Sequence, residues 1–176
     1  MTEQLVLVGL PGAGKSAVGR ALAGRLGWRF VDLDEAIALR AGRSVSEIFA
    51  TGGEPAFRKL EREMTLEYRD SDTTVLAPGG GWMAQEGLPA LLRPTARIIH
   101  LIVSPAEAVA RMAAGRGERP LLAEASDPVA TLDALANVRR PAYDRAHLAV
   151  DTSGRTIAEV VDAVLHLEPV RSLALL

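Results

Sequence analysis

Short apolar runs and longer amphipathic stretches alternate along this chain. Residues 5–8 are all apolar, as in a buried strand, and over 16–26 the apolar residues return at helical spacing. Gly27 predicts a helix stop, and 28–32 reads as a second strand. A helix ending near Arg40 is closed by Gly42, and Ser44 with Glu47 matches a capping box that opens a short helix to about Ala50. Thr51, Gly52 and Gly53 interrupt the pattern before a longer, charged helix over 54–68. The β-branched run 73–77 predicts a third strand, which ends in Pro78 and three consecutive glycines, Gly79, Gly80 and Gly81. A short helix is expected within 82–93, stopped before Pro94, and then a near-continuous apolar strand over 97–103. Ser104 before Pro105 and Asp127 before Pro128 each set an N-cap next to a first-turn proline, opening helices to about Ala114 and Tyr143. Residues 148–151 give the last strand, and Thr156 caps a helix that ends around Leu167.

Five strands alternating with helices predict an α/β protein, a three-layer α/β/α sandwich with a mainly parallel sheet. Every strand's outgoing loop then lies at one edge of the sheet, where ligands bind. At 176 residues the chain suits one domain, 1–176, and the segment at about 112–127 combines hinge glycines with arginines, which predicts a lid. No apolar run approaches the ~20 residues of a membrane span, and the amino terminus lacks a basic n-region, so the expected compartment is the cytoplasm. Cysteine is absent and the three histidines are scattered, which leaves no thiolate or clustered-histidine metal site. A formal net charge of −2 argues against a broad nucleic-acid-binding face, and the local arginines at 111–119 and 139–145 suit a small anionic ligand. A monomer with small-molecule substrates, without nucleic acid or membrane, is expected.

The chemistry concentrates at the ends of the strands. Gly9-Leu10-Pro11-Gly12-Ala13-Gly14-Lys15-Ser16 stands between the first strand and the first helix, as a phosphate-binding loop requires. Its glycines let successive amides converge on a polyphosphate, at the positive end of the helix that follows. The spacing assigns Lys15 to the β/γ-phosphates and the Ser16 hydroxyl to Mg²⁺. Of the 20 basic residues only Lys15 and Lys59 are lysines, so a compact ammonium stands in the loop of a chain that otherwise uses arginine. Asp32 and Asp34 end the second strand, two residues apart and on the same side. They read as a ligand of Mg²⁺-bound water and a holder of a substrate hydroxyl, or else as an acidic helix start. Arg58, three residues before Glu61, is either half of a surface pair or a guanidinium held rigid to grip a carboxylate. Gly79–Gly81 leave main chain bare for close approach to substrate oxygens.

In this order, the phosphate loop, Asp32-Leu33-Asp34, Phe57-Arg58 with Glu61, Gly79-Gly80-Gly81, Arg119-Pro120-Leu121-Leu122, and Arg139 before Pro141 and Tyr143 resemble the shikimate kinases, small relatives of the nucleoside monophosphate kinases. The resemblance spans about residues 4–167. It implies sheet order 2-3-1-4-5 and transfer of the γ-phosphate of MgATP to the 3-hydroxyl of shikimate. Gly12, Ala13, Gly14, Lys15, Ser16 and Ala17 would then hold ATP, with Arg119 reaching the phosphates from the lid and Arg155 near the adenine. Asp34 would orient the attacking hydroxyl, Arg58 and Arg139 would clamp the carboxylate, and Gly79, Gly80 and Gly81 would face the ring. Lys15, Asp34 and Arg119 are the catalytic candidates, and Ser16 and Asp32 the metal candidates. Ala17 stands where a second hydroxyl often follows the loop, Ala142 replaces a bulkier aliphatic residue, and Trp82 follows the glycines where a smaller residue is expected and is a candidate to reshape the acceptor pocket. Arg111 or Arg116 would cover the adenine. Rival readings are a kinase for another hydroxy-acid such as gluconate, or for a nucleoside monophosphate, and a non-catalytic nucleotide-binding module.

Overall fold

The structure is a computed structural model and describes residues 3–115, 125–168 and 170. The strands are β1 (Gln4–Val8), β2 (Arg29–Asp32), β3 (Thr74–Ala77), β4 (Arg97–Ile102) and β5 (Leu148–Asp151). They form one parallel sheet in the order β2-β3-β1-β4-β5. In register, Val6 lies between Leu76 and Ile98. Burial explains this order from the sequence. Every residue of β1 and β3 is buried, as expected for central strands covered on both faces, whereas β2 and β5 mix buried and exposed positions at the two edges.

The helices are α1 (Lys15–Leu26), α2 (Leu33–Ala41), α3 (Val45–Tyr68), α4 (Pro105–Ala114), α5 (Pro128–Tyr143) and α6 (Ile157–Leu165). Helix α1 packs with α6 and α4 with α5, so two helical layers flank the sheet, while α2 and α3 pack together at the β2 side. The core joins apolar residues of all five strands to Val18, Leu22, Ile37, Ile48, Leu132 and Val164 from the helices. No helix among the described residues is long and apolar enough to cross a membrane.

Several boundaries differ from the sequence expectation. The helix expected within 82–93 is instead two 3-10 turns, Trp82–Ala84 and Pro89–Leu91, separated by Gly87 at φ 71°. The interruption expected over 51–53 is present at Gly53, whose φ of 67° and ψ of −173° are non-helical and divide α3 into two helical stretches. Helix α6 stops at Leu165 rather than Leu167, and β4 at Ile102. Ser44–Glu47 and Thr156–Glu159 both form full capping boxes, each worth about 1 kcal/mol to its helix. Of the lid expected at about 112–127, residues 112–114 are the last turn of α4, and 116–124 lie outside the described residues.

Candidate active site

The phosphate loop leaves β1 and folds back over the ends of β4 and α4. Gly12 has φ 82°, and a Cβ there would lie 2.5 Å from the Ala108 carbonyl oxygen; Gly9 has φ 150° and the same clearance from that of Leu101. Glycine is required at both places, because any side chain would meet backbone that cannot yield. Helix α1 starts from Gly14 with no side-chain cap and no acidic residue in its first turn, so its leading amides and dipole are left for an anion. Lys15 Nζ donates to the carbonyl oxygens of Gly9 and Leu10 at 2.9 and 3.1 Å, which lays the ammonium along the loop.

Asp32 caps α2 and also holds the Ser16 side chain of the phosphate loop. Its Oδ1 accepts from the amides of Asp34 and Glu35 as the N-cap of α2, and its Oδ2 accepts from the Ser16 hydroxyl at 2.5 Å. The strand ends at Asp32, so Asp34 does not share a strand face with it. Asp34 reaches the site from the first turn of α2, where its Oδ1 lies 3.0 Å from the position a Cβ of Gly79 would take.

Across the triple glycine stand the two arginines. Arg58 donates through Nη1 to Glu61 Oε2 at 2.7 Å and through Nε and Nη2 to Glu54 Oε1 at 3.1 and 3.0 Å. The second partner, Glu54, was not read from the sequence, although its i,i+4 spacing to Arg58 carried the signal. Burial alone would lower the Arg58 guanidinium, but Glu61 and then Glu54 outweigh it and raise its pKa. Burial raises the pKa of Glu61, which has no exposed surface, and Arg58 only partly offsets this. A Cβ on Gly81 would lie 2.7 Å from Arg58 Nη2 and 3.3 Å from Arg139 Nη2, and one on Gly80 would lie 2.9 Å from Arg139 Nη1. The guanidiniums thus flank a bare strip of main chain. Arg139 Nη1 is buried and has no hydrogen-bond partner among the described residues.

Trp82 turns into the core, with no exposed surface, so it does not line the acceptor pocket. Beyond the end of β5, Arg111 donates to Thr152 Oγ1 and to its carbonyl oxygen at 3.0 and 2.6 Å, and Glu107 accepts from the Gly154 amide. Arg111 is thereby fixed beside the β5–α6 turn that carries Arg155, whose side chain is exposed. Ala13 is buried, whereas Ala17 is exposed in the first turn of α1. Arg116 and Arg119 lie outside the described residues.

A glycine loop that opens α1 from the central strand, in a parallel sheet of order 2-3-1-4-5, defines a P-loop kinase of the nucleoside monophosphate kinase-like fold. Residues 11–168 match the family described as shikimate kinase, and the chain belongs to that family. It is 43% identical over 164 residues to a shikimate kinase of Symbiobacterium thermophilum, an alignment covering 92% of this chain and 93% of that one. Among solved structures, the shikimate kinase of Acinetobacter baumannii in complex with shikimate superposes with a TM-score of 0.85 at 32% identity, covering 92% of this chain and 90% of the other. A gluconokinase from Sinorhizobium meliloti 1021 shares the fold alone, at 19% identity and a TM-score of 0.54 over 92% of this chain and 88% of that one.

Proposed function

We propose that this chain transfers the γ-phosphate of MgATP to the 3-hydroxyl of shikimate, with the residues above in separate roles. One observation carries the acceptor: two guanidiniums stand against Gly81, and one of them keeps a buried donor without a hydrogen-bond partner among the described residues. A carboxylate supplies what that donor lacks, as an acceptor of charge-assisted, two-point hydrogen bonds. Arg58 and Arg139 bind the shikimate carboxylate, and the amides of Gly79, Gly80 and Gly81 face the ring. Asp34 accepts a hydrogen bond from the attacking hydroxyl, orients it toward the phosphate loop and receives its proton.

On the donor side, the amides of Gly12 to Ala17 cradle the phosphates and Lys15 turns from the loop carbonyls to the β/γ-phosphates. Ser16 and Asp32 offer an oxygen-only pair, which fits Mg²⁺ held largely by phosphates; bound there, it would neutralise charge on the transferring group. Arg155 and Arg111 lie on the adenine side. Arg119 adds a cation to the phosphates, a role supported by its place in the glycine- and arginine-rich segment. The chain works as one domain and a monomer, in the cytoplasm, on small molecules and without nucleic acid.

The test is ADP release by the purified protein with MgATP and shikimate, gluconate, AMP or no acceptor. Strong stimulation by shikimate alone is expected. Stimulation by gluconate or AMP instead would reassign the pocket, and none by any acceptor would favour a nucleotide-binding module.

A further inference from the structure

Two hydrogen bonds, one buried and one partly buried, link the acceptor site's parts, and the Tyr143 hydroxyl also interacts with the Arg139 guanidinium. The clamp arginines ride on different helices, Arg58 on α3 and Arg139 on α5. Each helix is also tied to the glycine strip through an aromatic side chain. On α5, Tyr143 follows Arg139 by four residues and so shares its helix face; its hydroxyl donates to the Gly80 carbonyl oxygen at 2.7 Å. The Tyr143 ring is buried and stacks on His100 of β4, with centroids 4.6 Å apart. On the other side, Trp82 directly follows Gly81, and its Nε1 donates to Thr65 Oγ1 of α3 at 3.0 Å. The Thr65 hydroxyl in turn donates to the carbonyl oxygen of Glu61, the residue that holds Arg58.

The strip from Gly80 to Trp82 is therefore pinned between α3 and α5. Both guanidiniums approach the one place a Gly81 Cβ would take, at 2.7 Å for Arg58 Nη2 and 3.3 Å for Arg139 Nη2, so the two ties fix the strip against which both arginines stand.

We propose that Tyr143 and the Trp82–Thr65 pair are positioning residues of the acceptor site, setting the separation of Arg58 and Arg139 and hence the affinity for the acceptor carboxylate. Trp82 has no surface with which to touch a ligand, so it acts only through the helix and strip it joins. This inference rests on the acceptor reading given above.

The experiment measures KM for shikimate and for ATP, kcat and the unfolding midpoint in Tyr143→Phe, Thr65→Val and Thr65→Ser. Tyr143→Phe keeps the ring and its stack, and Thr65→Val keeps the shape. Each is expected to raise the shikimate KM about fivefold, the weight of one neutral hydrogen bond, while the ATP KM stays put. Thr65→Ser, which restores the hydroxyl, is expected to return the shikimate KM to the wild-type value. A lower unfolding midpoint with an unchanged shikimate KM would make the bonds merely structural and overturn the inference; so would an equal rise in both KM values. If Thr65→Val fails to fold, Tyr143→Phe decides by itself. Wild-type protein run alongside separates the two levels: without shikimate-stimulated ADP release the acceptor reading falls and takes this inference with it, whereas stimulation with unmoved variants overturns the inference alone.

Discussion

The phosphate loop and the acceptor pocket lie side by side but are built in opposite ways. The loop is made of backbone from one contiguous stretch, and its shape is enforced by positive φ at Gly12 and by carbonyls that leave no room for a Cβ. The pocket is made of side chains that arrive separately from α2, α3 and α5, set around a strip of glycines. A contiguous backbone site gains its affinity from local geometry. A convergent side-chain site depends on helix packing, so its parts can be altered one at a time while nucleotide binding persists.

The largest effect that would sharpen this contrast is expected from Asp34→Asn. Loss of the acceptor for the hydroxyl proton should lower turnover by at least ~10²-fold, with the KM for ATP largely unchanged. Steady-state kinetics checks it, and unchanged turnover would remove Asp34 from the mechanism. Next, Arg58→Ala should weaken acceptor binding by ~1.5–3 kcal/mol, the weight of a charge-assisted fork. An unmoved acceptor constant would reduce Arg58 to a partner of Glu54 and Glu61. Gly81→Ala should be milder, about 1 kcal/mol of acceptor affinity, because the new Cβ, 2.7 Å from Arg58 Nη2, displaces the guanidinium without removing it. Equal losses for ATP and acceptor would contradict the separation.

The smallest effect is a pH slope in stability. Burial raises the Glu61 pKa above its ordinary 4.5, so the folded state holds this proton more tightly than the unfolded chain. The resulting stabilisation is complete below about pH 4.5 and is lost as pH rises through the raised folded value. Wild type should therefore lose stability relative to Glu61→Gln across that window, read as unfolding midpoints at a series of pH values. Parallel profiles would show that burial does not govern the group.

The same contrast explains what the sequence disclosed. The loop's fold was legible in one octapeptide because neighbours in sequence are neighbours in space there. Sheet order was not legible from periodicity, which gives strands but not their partners, and it came only with the family resemblance. Asp34, Arg58, Arg139 and the glycines were grouped by resemblance to a family pattern, and the structure brings them together. Their arrangement was not legible. Trp82 stood as a candidate to reshape the pocket, but its indole is buried and donates to Thr65, 17 residues earlier in the chain. Asp32 and Asp34 read as site residues or as an acidic helix start, and the sequence did not disclose that one Asp32 oxygen caps α2 while the other accepts from Ser16.

The most direct test of the two-part construction is equilibrium titration of ATP and of shikimate, separately, onto wild type and the Arg58→Ala/Arg139→Ala double variant. The account predicts that the double variant loses measurable shikimate binding and keeps wild-type affinity for ATP. Retained shikimate binding, or a matching loss of both ligands, would contradict it.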